Sequence, residues 1–150
     1  MNLFEDNDND PIDMLAEKYP VVFKNMNTTL YNSIPPGWVN ILDKLCSDLT
    51  NLIEEELKRS PPNPDEYPFT VLQIKEKFGG LRFYCQTFTD NEEYNNKVNL
   101  LIAKAEDQSY STCATTGKPG LLCRKDGYYE TMCEELRISK GFEVLGNANS

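Results

Sequence analysis

Histidine is absent from the 150 residues, and tryptophan occurs once. Without an imidazole, any metal site that needs a histidine ligand is excluded, as is any mechanism that needs a histidine acid or base. Basic residues are scarce as well. Fifteen Lys and Arg stand against 24 Asp and Glu, a net charge of −9 with a pI near 4.5. That balance excludes a domain that holds DNA chiefly by neutralising phosphates, so direct nucleic-acid binding is not the leading expectation. Long apolar runs are missing too. The longest wholly aliphatic stretch, Leu100–Ala103, falls far short of the ~20 residues of a membrane span, so no membrane partner is expected. Residues Met1 to Asp10 show neither the basic nor the apolar region of a secretory signal. Cysteine is present but odd in number, at Cys46, Cys85, Cys113, Cys123 and Cys133. In a chain without a signal this points to a reducing cytoplasm, with thiols or the remnant of a metal site rather than a disulfide framework.

What is present suffices for one globular unit over residues 1–150. Hydrophobic residues make up 39% and aromatics 11%, enough to bury a core at this length. Asp10-Pro11 opens a first helix, with Asp10 as cap and Ile12, Leu15, Ala16 and Tyr19 on one face until Pro20 stops it. From Trp38 the apolar positions Ile41, Leu42, Leu45, Cys46, Leu49, Leu52, Ile53 and Leu57 form one continuous helical stripe. Lys58 and Arg59 suit its C-terminal dipole, and Pro61, Pro62 and Pro64 prevent its continuation. The period then changes. Phe69, Val71, Leu72 and Ile74, then Leu81, Phe83 and Tyr84, flank Gly79-Gly80 and predict a β-hairpin turning at those glycines. A second amphipathic helix is expected from Asp90, as its cap, through Tyr94, Val98, Leu101, Ile102 and Ala105. Asp126-Gly127 marks another hairpin, with Tyr128–Met132 as its second strand. The fold class expected is α+β: amphipathic helices packed on a β-hairpin, with a small C-terminal ribbon. Residues 1–10 are expected to be an acidic, flexible N-terminus, and 146–150 a frayed tail.

The ribbon carries a damaged metal pattern. A zinc ribbon needs two knuckles that each present two ligands, usually Cys-x-x-Cys or Cys-x-x-His. Here the pairs are Cys113 with Thr116 and Cys133 with Leu136, so each knuckle keeps one ligand. The turn and ribbon between them should still bring Cys113 and Cys133 together. Residues 113–136 therefore read as a zinc-ribbon-like subdomain without a full ligand set, and neither a metal nor another cofactor is expected. Gly117-Lys118 does not complete a phosphate loop, because Thr112 stands at the earlier glycine position and Pro119 follows the lysine. The carboxylates Glu54–Glu56, Glu92-Glu93 and Glu134-Glu135 are sequence neighbours and single out no catalytic pair across a cleft. No catalytic residue emerges.

Several segments together, Gly37-Trp38, then Gln73-Ile74-Lys75-Glu76-Lys77-Phe78-Gly79-Gly80-Leu81-Arg82-Phe83-Tyr84, then Cys113 with Gly117-Lys118-Pro119-Gly120, then Cys133, carry a resemblance. Over roughly residues 14–136 the chain resembles a group of small uncharacterised proteins encoded by bacteriophages and by bacteria carrying prophages. The resemblance implies a phage or mobile-element origin and a C-terminal zinc-knuckle pair. This sequence departs from that pair at Thr116 and Leu136. It implies no established activity.

The first expectation for function is a non-enzymatic, acidic protein-binding module, a phage-encoded inhibitor of a host defence protein acting in the host cytoplasm. The acids expected to meet a basic surface on that protein are Asp6, Asp8, Asp10, Asp13 and Glu17 near the N-terminus, with Asp43, Asp48 and Glu55 on the long helix. One alternative is a nucleic-acid-associated domain derived from a zinc ribbon. It would use a basic patch of Lys75, Lys77, Arg82, Arg124 and Lys125, with Lys118, and Tyr128 or Tyr129 stacking on bases. Another is a small-ligand binder with a pocket between helices and hairpin.

Overall fold

The computed structural model describes residues 10–26, 32–61 and 66–145. Helix α1 (Pro11–Lys18) starts where Asp10 accepts a hydrogen bond from the Ile12 N–H at 2.8 Å, which satisfies one of the free donors of a first turn. Pro20 opens a separate turn, α2 (Pro20–Phe23), because its ring cannot continue α1. A 3-10 turn (Pro36–Trp38) then leads into the 21-residue helix α3 (Val39–Arg59).

The stripe read from the sequence is the face α3 buries, with Leu42, Cys46, Leu49 and Ile53 wholly shielded. Each such side chain contributes roughly 1.5–3 kcal/mol by leaving water. The hairpin follows as β1 (Thr70–Lys77) and β2 (Gly80–Gln86), antiparallel and closed by the Lys77–Gly80 pair. The turn itself differs from expectation. Phe78 (φ +53°) and Gly79 (φ +88°) form it, whereas Gly80 belongs to β2. Positive φ at both central residues is the type I′ turn, whose twist matches that of the strands, and the Lys77–Gly80 pairing fixes which two residues they are.

Helix α4 (Glu92–Ser109) is capped by Asn91, whose side chain accepts from the Tyr94 N–H, and not by Asp90. Asn91 is preferred because its amide also donates to Glu56 at 2.8 Å, tying the start of α4 to the end of α3. Glu56 is almost wholly buried and also accepts two bonds from Arg59, at 3.1 and 2.9 Å, and one from Thr89 at 3.3 Å. Helices α3 and α4 and the hairpin share one core with Trp38, Phe69, Val71, Ile74, Leu81, Phe83 and Val98.

The C-terminal part is a second antiparallel sheet in the order β4-β3-β5. It comprises β3 (Leu121–Lys125), β4 (Tyr128–Met132) and β5 (Glu143–Val144), with a helix α5 (Glu134–Lys140) between β4 and β5. Asp126 (φ +50°) and Gly127 (φ +84°) make the β3–β4 turn where the sequence placed it. The architecture is α+β with two small antiparallel sheets. The expectations for residues 1–9 and 146–150 lie outside the described residues. Among the described residues, no helix is long and apolar enough to cross a membrane.

Candidate functional site

Three hydrogen bonds and one aromatic contact tie the C-terminal part to the rest of the fold. The Gly37 N–H donates to Ala114 O at 2.7 Å, and the Trp38 indole N–H donates to Thr112 O at 2.9 Å. The buried Thr131 hydroxyl donates to Gly79 O, at the hairpin tip, at 2.8 Å. The Phe78 ring meets Tyr129 edge-on, with centroids 6.0 Å apart. The last two join the sheets at the hairpin tip, the first two fix the 3-10 turn against residues 112–114, and a groove of about 700 Å³ is left between the sheets. One rim is formed by residues 33–36, which lead into the 3-10 turn, and Lys75 and Glu76 of β1 form a wall. Ala114 and Thr115 lie at one end, with Tyr128, Tyr129 and Glu130 of β4 and Phe142 completing the lining. Phe142 is placed by the end of α5. There Gly141 takes φ +75°, its N–H donates to Ile138 O (3.3 Å) and Arg137 O (2.9 Å), and the Phe142 N–H donates to Arg137 O (3.1 Å). That paired closure of a helix favours glycine, because a Cβ resists positive φ.

Of the eight acids expected to form a docking face, three are engaged within the fold. Asp10 is the α1 cap. Asp43 accepts from Lys18 Nζ at 2.8 Å and from the Tyr19 hydroxyl at 2.9 Å, and these bonds hold its carboxyl below the usual range. Asp48 pairs with Lys44 at 3.0 Å. Asp13, Glu17 and Glu55 are exposed, while Asp6 and Asp8 lie outside the described residues. Lys75, Lys77 and Arg82 share one face of the hairpin, with Lys75 directly across from Arg82, while Arg124 and Lys125 lie on β3. Arg82 sits against the Tyr110 ring (5.9 Å), Lys77 over the Phe78 ring (5.6 Å), and Lys125 donates to Lys140 O at 2.9 Å. Arg124 and Lys118 are exposed, and Lys118 stands 3.6 Å from Glu135. Of that set only Lys75 lines the groove, beside Tyr128 and Tyr129.

Cys113 and Cys133 do come together, the Cys133 backbone N–H donating to the Cys113 sulfur, and both are buried. The Cys113 turn is closed by its N–H to Lys118 O (2.7 Å) and by the Gly117 N–H to Cys113 O (2.9 Å). The Thr116 N–H points at the Cys113 sulfur, 3.5 Å away. Burial pushes this thiol up. The Thr116 hydroxyl and the backbone N–H groups of Thr116, Cys133 and Thr115 outweigh burial and bring it down to about 7. Thr116 thus donates to the sulfur, and Leu136 is half-buried on α5. Burial pushes Cys46 up to about 12 and Cys85 up to about 11. Among the described residues, no group of three or more Cys, Asp and Glu is placed to hold a metal ion.

Reasoning from sequence marked Tyr128, Tyr129 and Lys75 but missed Glu130, Phe142, Glu76 and the Ser33–Pro36 rim. Alternation along β4 could have placed Glu130 on the same face as Tyr128. Nothing local could have placed Phe142 there. No protein-family model matches the sequence, and no curated protein or solved structure matches it either.

Proposed function

We propose that the chain is a non-enzymatic protein-binding module whose recognition surface is the groove between hairpin and ribbon, and not an acidic helix face. The observation that carries this reading is the concentration of Tyr128, Tyr129 and Phe142 in one concave site. Tyrosine is enriched among the few residues that dominate binding at protein interfaces, and aromatic side chains line most concave sites. The internal use of Asp10, Asp43 and Asp48 supports the same choice, since acids already bonded gain less from a new partner. Taken with the resemblance to phage and prophage proteins, the partner is a host protein and the module an inhibitor working in the host cytoplasm. The C-terminal ribbon is a zinc ribbon that has lost its metal. Hydrogen bonds from Thr116 and Cys133 now hold the Cys113 sulfur where a second ligand and an ion once did.

Affinity capture from a bacterial lysate tests this. The wild type should retain a stoichiometric protein, Tyr128→Ala should lose it, and the triple change Asp13→Asn, Glu17→Gln, Glu55→Gln should keep it. Tyr128 is 75% exposed, so its truncation leaves the fold intact. No stoichiometric protein, or one lost only with the triple change, refutes the reading. One observation favours the nucleic-acid alternative: Lys75 shares the groove with both tyrosines. Glu76 and Glu130 in the same walls weigh against it.

A further inference from the structure

The groove lies where two strand edges run out of partners. Because Lys77 and Gly80 close the hairpin as a hydrogen-bonded pair, the backbone groups of Ile74 and Glu76 point away from β2. Those of Ile74 are met. Its N–H donates to Asn32 Oδ1 at 2.7 Å, and its carbonyl accepts from the Ser33 N–H at 3.1 Å. The flanking segment then reaches Pro35-Pro36, which has no N–H to donate and cannot follow β1 further. Among the described residues, the outward N–H and carbonyl of Glu76 make no backbone hydrogen bond.

The same holds across the groove. The Leu122 carbonyl accepts from Leu145 (3.0 Å) and the Thr131 carbonyl from Ala114 (2.9 Å), so the Leu122–Thr131 pair does not bond to itself. Alternation puts Tyr129 in the same position, with its N–H and carbonyl off the outer edge of β4 and without a backbone partner among the described residues.

The side chains around this slot suit a cation. Tyr128 and Glu130 share one face of β4, opposite Lys125 and Cys123. Val144 pairs with Cys123, so Phe142, two residues earlier, comes to that face as well. Glu130 is half-buried and belongs to no ion pair among the described residues. Two aromatic rings beside a free carboxylate attract a cationic side chain, and the net charge of −9 adds to that attraction. The cation in the lining, Lys75, has its ammonium 5.9 Å from the Tyr84 ring centroid.

We propose that the slot takes an extended basic segment of the partner protein. The segment adds as a short strand against Tyr129 and Glu76 and sets an arginine or lysine side chain at Tyr128, Phe142 and Glu130. This is strand addition, in which main-chain bonds give affinity and alternate side chains give specificity. It rests on the reading of the groove as a protein-binding site.

The test is a titration of isotope-labelled protein with a blocked hexapeptide alternating arginine and valine, followed by amide chemical shifts. Shifts should concentrate at Tyr129, Glu76 and Glu130. Glu130→Gln should weaken binding by about fivefold and Tyr128→Ala by about tenfold. Methylating the peptide's backbone nitrogens should weaken binding by about tenfold or more, and glutamate in place of arginine should remove it. Shifts along α3 instead of the groove, or a methylated peptide that binds as well as its parent, overturn the proposal. So does a ten-nucleotide oligothymidylate that moves the same amides more strongly. If the lysate partner is captured through Tyr128 while the hexapeptide does not bind, this inference falls and the protein-binding reading stands. Absence of both removes both.

Discussion

Replacing Gly37 by alanine should be the most damaging single-methyl change in the groove's framework. A Cβ at Gly37 would lie 2.1 Å from Cys113 O and 2.6 Å from both Ala114 C and Ala114 O. All three are backbone atoms and cannot rotate aside, so the 113–118 turn must retreat by about 1 Å to restore ordinary contact distances. That retreat stretches the Gly37–Ala114 bond (2.7 Å) and the Trp38–Thr112 bond (2.9 Å) together. Two hydrogen bonds at about 1 kcal/mol each, plus about 1–3 kcal/mol for forcing a methyl into a packed contact, give a loss of about 4 kcal/mol. For a domain this size that is about 8–16 °C in Tm. Gly127→Ala is the matched control. Nothing lies within 4 Å of its Cβ, and only the φ of +84° opposes the change, which costs about 1–2 kcal/mol. Urea unfolding followed by the fluorescence of Trp38 reads both, since that single, fully buried indole reddens on exposure. A Gly37→Ala protein within about 1 kcal/mol of wild type, or one more stable than Gly127→Ala, refutes the reasoning.

Three further outcomes follow from the same contacts. Thr131→Val strips the donor from the buried Gly79 carbonyl and should cost about 1–2 kcal/mol in urea unfolding, even though it adds a methyl; no loss would mean the clasp at the hairpin tip is idle. The Glu56 carboxyl is held below its ordinary 4.5, first by Arg59, against burial, with help from Asn91 and Thr89. Its contribution is therefore complete above that value and lost as pH falls through the lower folded one, so Glu56→Gln should flatten acid destabilisation below pH 4.5. Cys113 titrates at about 7 in the folded chain against an ordinary 9, so the unfolded chain binds the extra proton between those values. Stability should rise with pH across that window and stop rising in Cys113→Ser; an unchanged slope in urea midpoints contradicts the donor set around the sulfur.

The helices and both hairpins were legible because burial repeats with a fixed period, and α3 shows the rule in its simplest form. What escaped was structure whose cause lies elsewhere in the chain. Helix α5 buries no residue fully, so its seven residues show no apolar stripe to detect. β5 is two residues held only by pairing to β3. Glu56 sits within a run of three glutamates that looks solvated, yet it stands three residues after Ile53 on the core face; that spacing was the available signal. The partners of two of the acids were hidden for a related reason. Sequence counts charges but not their partners, and Lys18, Tyr19 and Lys44 had already taken Asp43 and Asp48.

The groove is the deepest case, because it exists through an interruption. The Asn32 side-chain oxygen and the Ser33 N–H take up the outward backbone groups of Ile74, and an N–H at position 35 could have carried that bonding on toward Glu76. Pro35-Pro36 ends it and turns the chain into the 3-10 turn that seats Gly37 on Ala114. The same two residues thus leave the β1 edge open and fix the distance to the ribbon that forms the opposite wall. Read alone they are only a loop closing before a helix. Their consequence appears when β4, more than 90 residues later, is brought alongside with its own edge unpaired at Tyr129.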